Sequence, residues 1–143
     1  MSSVLPSIDT PFGERVARRL REEPTIWFTT VGADGTPQPN PVWFLWDGGE
    51  SVLIYSLNDA VRERNIQRDP HVSLNFDSNG TGGDIVVLTG TARISREEPH
   101  ADQNAEFAQK YQQGIARGFG TPANFAAKYS VPIRVTIQKV RGH

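Results

Sequence analysis

Apolar residues first recur at helical spacing and then, for most of the chain, at every second position. Phe12, Val16 and Leu20 fall four residues apart. Asp9 or Thr10 is placed to cap that helix, Pro11 suits its first turn and Pro24 ends it, so a helix is expected over about residues 10–22. Arg15, Arg18, Arg19 and Arg21 fall mostly on its other faces and read as a solvated surface. Residues 25–31 are rich in β-branched and aromatic side chains, which suit a strand, and Gly32-Ala33-Asp34-Gly35 turns the chain. Residues 36–46 form one extended run closed by Asp47-Gly48-Gly49, and residues 52–56 a short third strand. A polar helix over about residues 59–68 stops at Asp69-Pro70. Val72, Leu74 and Phe76 then alternate with polar residues, and residues 85–94 make a long strand in which Gly90 marks a bend or bulge. Pro99 opens a longer helix with Phe107, Tyr111 and Ile115 on one stripe, interrupted by Gly114, Gly118 and Gly120. Thr121-Pro122 caps a further helix carrying Phe125 and Tyr129, and Val131, Ile133, Val135 and Ile137 alternate in a sixth strand.

Six strands in largely hairpin order, with few helical stripes, favour a barrel or sandwich over a parallel sheet. The length of 143 residues suits one domain over residues 1–143. With 15 basic against 16 acidic residues there is no cationic excess to neutralise a nucleic acid backbone. The absence of cysteine removes disulfides, thiolate catalysis and cysteine-bound metal. His71, His100 and His143 lie far apart, so no metal site is expected. No apolar stretch reads as a signal peptide or a membrane span, which points to the cytoplasm and to no membrane partner.

Two segments carry candidate chemistry. Pro37, Pro39 and Pro41 alternate in one extended segment, and alternate N–H groups of a strand point to the same edge. That edge therefore lacks donors and should be a sheet edge or the place where a barrel is split. Such an edge reads either as simple protection against edge-to-edge pairing or as a flat wall for a ligand, and the sequence leaves both open. In the following Val42-Trp43-Phe44-Leu45-Trp46, Trp43 and Leu45 share one face and Phe44 and Trp46 the other. The second segment is 56–70. A strand ends at Ser56, Asn58 or Asp59 is placed to cap a helix, and Arg62 and Arg64 follow. Free first-turn amides with guanidinium groups make an anion site, although residues two apart lie about 200° apart around a helix and cannot both face one phosphate unless one sits in the irregular first turn. The alternative is a surface helix in which Glu63 and Asp69 balance the arginines.

The combination Gly35-Thr36-Pro37-Gln38, Pro41-Val42-Trp43-Phe44, Tyr55-Ser56 and Arg62-Glu63-Arg64-Asn65-Ile66-Gln67-Arg68-Asp69-Pro70 resembles the pyridoxamine 5′-phosphate oxidase-like split barrels. It is most similar to their actinobacterial group that uses the deazaflavin coenzyme F420. Gly90-Thr91-Ala92 fits the small-residue pattern of that family's fifth strand. The resemblance implies a mainly β (α+β), six-stranded Greek-key split β-barrel (the FMN-binding split barrel) with flanking helices. It also implies a homodimer with the cofactor in a groove at the subunit interface.

Carried over residue by residue, Arg62 stands where the family usually has a phosphate-binding lysine, and Arg64 and Asn65 match the positions beside it. Ser56 matches the hydroxyl residue next to the ring, and Gln38, Pro41, Val42 and Trp43 the wall of the ring pocket. With Asn58 at the helix start, these nine residues are the expected cofactor-binding set. The basic pair that reads the FMN phosphate in the vitamin-B6 oxidases is not evident between Gln38 and Leu45, which puts F420 ahead of FMN. The resemblance thus implies an F420-dependent oxidoreductase passing hydride between the deazaflavin and a small conjugated substrate. The alternatives are an FMN-binding relative and a non-catalytic carrier of a cofactor or haem, for which His71 is the one plausible axial ligand. No acid–base dyad stands out, and solvent or a tyrosine such as Tyr129 would supply a proton.

Overall fold

The computed structural model describes residues 4–143; Met1–Ser3, included in the single-domain expectation, lie outside the described residues. Helix α1 (Pro11–Glu22) is capped by Thr10, whose side chain accepts from the Gly13 N–H at 3.0 Å, with Pro11 in the first turn. It lays Val16 and Leu20 into the core. Arg19 departs from the solvated face expected of the helix's arginines. It is 7% exposed, donates to the Asp77 and Asp84 carbonyls at 2.9 and 3.2 Å, and lies over the Phe76 ring. A guanidinium tolerates this burial because its donors are satisfied there.

The strands are β1 (Ile26–Val31), β2 (Pro37–Val42), β3 (Leu45–Trp46), β4 (Ser51–Ser56), β5 (His71–Asn75), β6 (Val86–Ile94) and β7 (Val131–Gly142). They form one antiparallel sheet in the order β2-β1-β5-β6-β7-β4-β3. The two end strands, β2 and β3, are neighbours in the chain. The curled sheet therefore closes through Trp43 and Phe44 rather than through a ladder, which makes it a split barrel of α+β class.

Among the described residues the strand count is seven, not six, because the run expected over residues 36–46 is broken at Trp43-Phe44. Phe44 spends its backbone groups elsewhere. Its N–H donates to the Tyr111 hydroxyl at 2.8 Å, and its carbonyl accepts from Lys110 Nζ at 2.9 Å and lies 2.9 Å from the same hydroxyl. The Tyr111 hydroxyl also reaches the Pro24 carbonyl at 2.8 Å. The expectation for the prolines holds: β2 pairs with β1 alone, and Pro37, Pro39 and Pro41 face Val31, Thr29 and Trp27 in register. The expected bulge at Gly90 is also present, as a register shift between Thr89 and Gly90 in the β6–β7 ladder.

The core divides in two. Inside the barrel, Ile26, Phe28, Phe44, Ile54, Leu74, Leu88 and Ile133 are buried with α1 and α2 (Val61–Arg68) around them. Outside β4, Leu53 and Tyr55 pack against a helical lobe inserted between β6 and β7. The lobe comprises a 3₁₀ turn (Ala101–Gln103) and helices α3 (Ala105–Lys110), α4 (Gln112–Gly118) and α5 (Pro122–Lys128). The single helix expected from Pro99 is thus two. Its first helix starts at Asn104, whose side chain accepts from the Phe107 N–H at 3.1 Å, and Tyr111 separates α3 from α4. The stripe Phe107, Tyr111 and Ile115 is buried as the sequence indicates, and Thr121 caps α5.

The Tyr111 hydroxyl is the polar pin between lobe and barrel. Tyr111→Phe keeps the ring but leaves the buried Phe44 N–H and the Pro24 carbonyl without that partner. The expected cost is about 2 kcal/mol, read as a lower denaturation midpoint at unchanged m-value. A midpoint equal to wild type would remove the pin.

Candidate functional site: an aromatic cleft with one cation

A cleft of about 420 Å³ opens where the split end of the barrel meets the helical lobe. Thr25, Asn40, Pro41, Val42 and Trp43 come from the strand β1–β2 region, and Tyr55 and Leu57 from the end of β4. Arg62 comes from the first turn of α2, and Phe119, Phe125 and Tyr129 from the lobe. The volume falls within the usual range for small-molecule sites.

Trp43 organises the cleft's floor. Its ring stacks on Tyr111 at 4.4 Å between centroids and on Phe125 at 5.3 Å, with Phe119 edge-on at 6.3 Å. Gly114 leaves room for it: a Cβ there would press on the Trp43 ring. Tyr129 lies against Phe125 and Phe119. The proline-blocked strand thus contributes backbone and small rings, and the lobe contributes the larger aromatics.

Among the described residues Arg62 is the only charged side chain lining the cleft. Its Nη1 donates to Ser56 Oγ at 3.1 Å, and its guanidinium carbon sits 5.7 Å from the Phe28 ring centroid. Among the described residues no carboxylate pairs with it. Glu63 pairs with Arg96 at 3.2 Å and Asp69 with His71 at 2.8 Å. The balancing of the arginines by Glu63 and Asp69 that a plain surface helix would show is therefore absent at Arg62. Burial pulls the Arg62 pKa below its ordinary value, with Tyr129 a smaller opposing influence. A partly desolvated guanidinium without a counter-charge has donors to spare for an oxyanion.

The remaining expected residues occupy other places. Ser56 is buried under Arg62 and holds it in position. Asn65 is 2% exposed, and its amide donates to Thr30 Oγ1 at 3.0 Å and Gln38 Oε1 at 2.8 Å, while its Oδ1 accepts from Arg68. Gln38 and Asn65 thus tie β2, β1 and α2 together behind the cleft. Asn58 and Arg64 are exposed and do not line it. The α2 N-cap is Ala60, without a side-chain cap, so neither Asn58 nor Asp59 caps the helix. Asp59 instead takes a left-handed φ of 62°, which lets the chain turn before Ala60. His71 is exposed, bonded to Asp69 and outside the cleft. Of the lobe aromatics, Tyr129 was named only as a proton source, and Phe119 and Phe125, like Thr25, Asn40, Tyr55 and Leu57, line the cleft without the sequence having marked them as a site. The one sequence signal of the lobe aromatics is the density of rings among glycines over residues 107–129.

The amine of Lys110, packed over the Phe44 ring, is pushed down by burial to about 8. A folded-state pKa below the unfolded value means that the unfolded chain binds the extra proton between the two. Stability should therefore rise with pH from about 8 towards 10. Above pH 10 the buried Tyr111 hydroxyl, whose pKa burial raises, reverses the trend, because only the unfolded chain then ionises readily. Denaturant midpoints across this window check it, and Lys110→Met should flatten the rising limb.

No helix among the described residues is long and apolar enough to cross a membrane. The family model of pyridoxamine 5′-phosphate oxidase matches residues 12–143. Among solved structures, a protein described as an F420 reductase shares 24% identity at a TM-score of 0.65, covering 87% of this chain and 94% of its own. A Clostridium acetobutylicum protein related to general stress protein 26 of B. subtilis, of the pyridoxinephosphate oxidase family, shares 15% identity at a TM-score of 0.65, with 92% and 88% covered. HutZ, a haem storage protein from Vibrio cholerae, shares 19% identity at a TM-score of 0.60, with 90% and 91% covered. At these identities the likeness concerns the fold. No curated protein matches the sequence significantly.

Proposed function

This chain belongs to the pyridoxamine 5′-phosphate oxidase family, and from that premise we propose that it is an oxidoreductase using coenzyme F420, with a small conjugated molecule as substrate. One observation carries the reading: a half-buried guanidinium, Arg62, stands without a carboxylate partner on a cleft otherwise lined by uncharged and mostly aromatic side chains. That combination suits a ligand with a flat apolar ring and an anionic tail.

The deazaflavin supplies the two-electron hydride chemistry when bound. The chain's own residues bind, orient and exclude water. Arg62, braced by Ser56, would hold the phosphate. Pro41, Val42 and Trp43 would form the wall of the ring pocket. Asn65 and Gln38 hold β2 against α2, so the wall and the cation keep their spacing. Among the described residues no carboxylate, lysine or histidine lines the cleft, so a proton would reach the substrate from solvent or from a hydroxyl such as that of Tyr129.

FMN in the same cleft is the second reading, favoured by the family match and served by the same guanidinium. Equilibrium titration of the purified protein with F420 and with FMN separates the two. Tighter binding of F420 is the expected result, and exclusive retention of FMN would replace the deazaflavin by the flavin. Oxidation of reduced F420 on addition of conjugated acceptors then distinguishes an enzyme from a carrier; no turnover with any acceptor would leave a carrier.

A further inference from the structure

The lobe side of the cleft has a chemistry of its own. Phe119, Phe125 and Tyr129 line it without a single charge, and the one cation, Arg62, comes from the barrel side. Phe119 is half-buried and touches Trp43, Phe125 and Tyr129 edge-on, with centroids 5.0 to 6.3 Å away. It sits between Gly118, where an added Cβ would meet open space, and Gly120, whose φ of 84° lies in the glycine-favoured region. The ring is therefore borne by a turn whose backbone neighbours carry no side chain to obstruct it. The Lys128 ammonium lies 6.0 Å from the Phe119 centroid over one face, and edge-on packing leaves the other face for a further ring, where offset or edge-to-face pairs are favourable beyond area burial alone.

We infer that Phe119 is the specificity-determining residue of this site and that it selects an uncharged, planar ring compound as the second occupant of the cleft. The inference rests on the proposed function above, in which Arg62 is committed to the anionic tail of the cofactor. With that cation taken, the lobe side offers a second ligand only rings and the Tyr129 hydroxyl. A cationic ligand would lose its hydration there without a counter-charge, and an anionic one would find only Lys128, which does not line the cleft and already lies over the Phe119 ring; a neutral ring loses little and gains stacking.

The test uses the full chain and two probes followed by tryptophan fluorescence: 2-naphthol, neutral and planar, and FMN, which carries the phosphate. Wild type is expected to bind 2-naphthol, and Phe119→Ala to weaken it by about tenfold, a clearly larger loss than FMN suffers, because the phosphate grip of Arg62 remains. Phe119→Trp should restore 2-naphthol binding, and this variant together with Phe119→Leu serves if the alanine variant misfolds. Arg62→Ala should do the reverse, weakening FMN and sparing 2-naphthol. Failure of wild type to bind 2-naphthol, or equal affinity in wild type and the Phe119 variants, would overturn the inference. Unchanged FMN affinity in Arg62→Ala would instead overturn the anion site on which it rests.

Discussion

Arg62→Ala is expected to weaken binding of the anionic cofactor by roughly 10- to 100-fold while the protein stays folded. The magnitude follows from the loss of charge-assisted hydrogen bonds to a phosphate, worth about 1.5–3 kcal/mol in a partly desolvated setting. The fold should survive because Arg62 braces little. It makes one hydrogen bond to Ser56 and lies over the Phe28 ring, and removing a half-buried charge also removes its desolvation cost. Arg62→Lys should recover part of the affinity, as a point charge without the planar fork. Titration of both variants beside a thermal melt makes the comparison. A variant that loses stability and affinity together would show a structural arginine, and one that loses neither would show an idle one.

The largest effect on stability is expected from Gly90→Ala. Gly90 lies at the bulge where β6 crosses β7, and a Cβ there would run into the Thr136 carbonyl oxygen. Backbone cannot yield as a flexible side chain can. Relief requires opening the β6–β7 ladder, which is the longest in the sheet and continues through Val86–Ile94. A cost of about 3 kcal/mol or more is expected, a large fraction of a small domain's stability, with a melting temperature roughly 10 °C lower. Thr89→Ala, one residue away and half-exposed, is the matched control and should change the melt little. A Gly90→Ala protein as stable as wild type would mean that the bulge relaxes at no cost.

These two positions also show what sequence could and could not convey. Gly90 was legible because an isolated glycine in a β-pattern marks a bulge or a close backbone approach, and here it marks both. The proline edge was legible for a similarly local reason: three missing donors at period two fix which side of β2 stays unpaired. Trp43 and Phe44 fall on opposite faces as alternation requires, Trp43 with the outer cluster and Phe44 with the inner one.

What was not legible depends on partners distant in sequence. The break between β2 and β3 arises because Tyr111 and Lys110, 67 and 66 residues away, occupy the backbone of Phe44. Arg19 is buried because the loop before β6 offers it carbonyl acceptors, which no helical periodicity reveals. In the site, the cation was visible as part of an arginine-rich helix start, yet the sequence could not separate Arg62 from Arg64. Helical geometry does so by turning Arg64 to solvent. Asn65 and Gln38 read as ligand contacts from the resemblance, whereas their amides meet each other. The aromatic lobe wall was hidden because rings among glycines look the same whether they fill a core or line a cleft.

The most direct test is a crystal structure of the protein with F420 bound. An oxygen of its phosphate should lie within hydrogen-bonding distance of the Arg62 guanidinium, with the deazaflavin ring along Pro41, Val42 and Trp43. Cofactor density elsewhere, with Arg62 still bonded to Ser56 alone and the cleft filled by its own side chains, would contradict it.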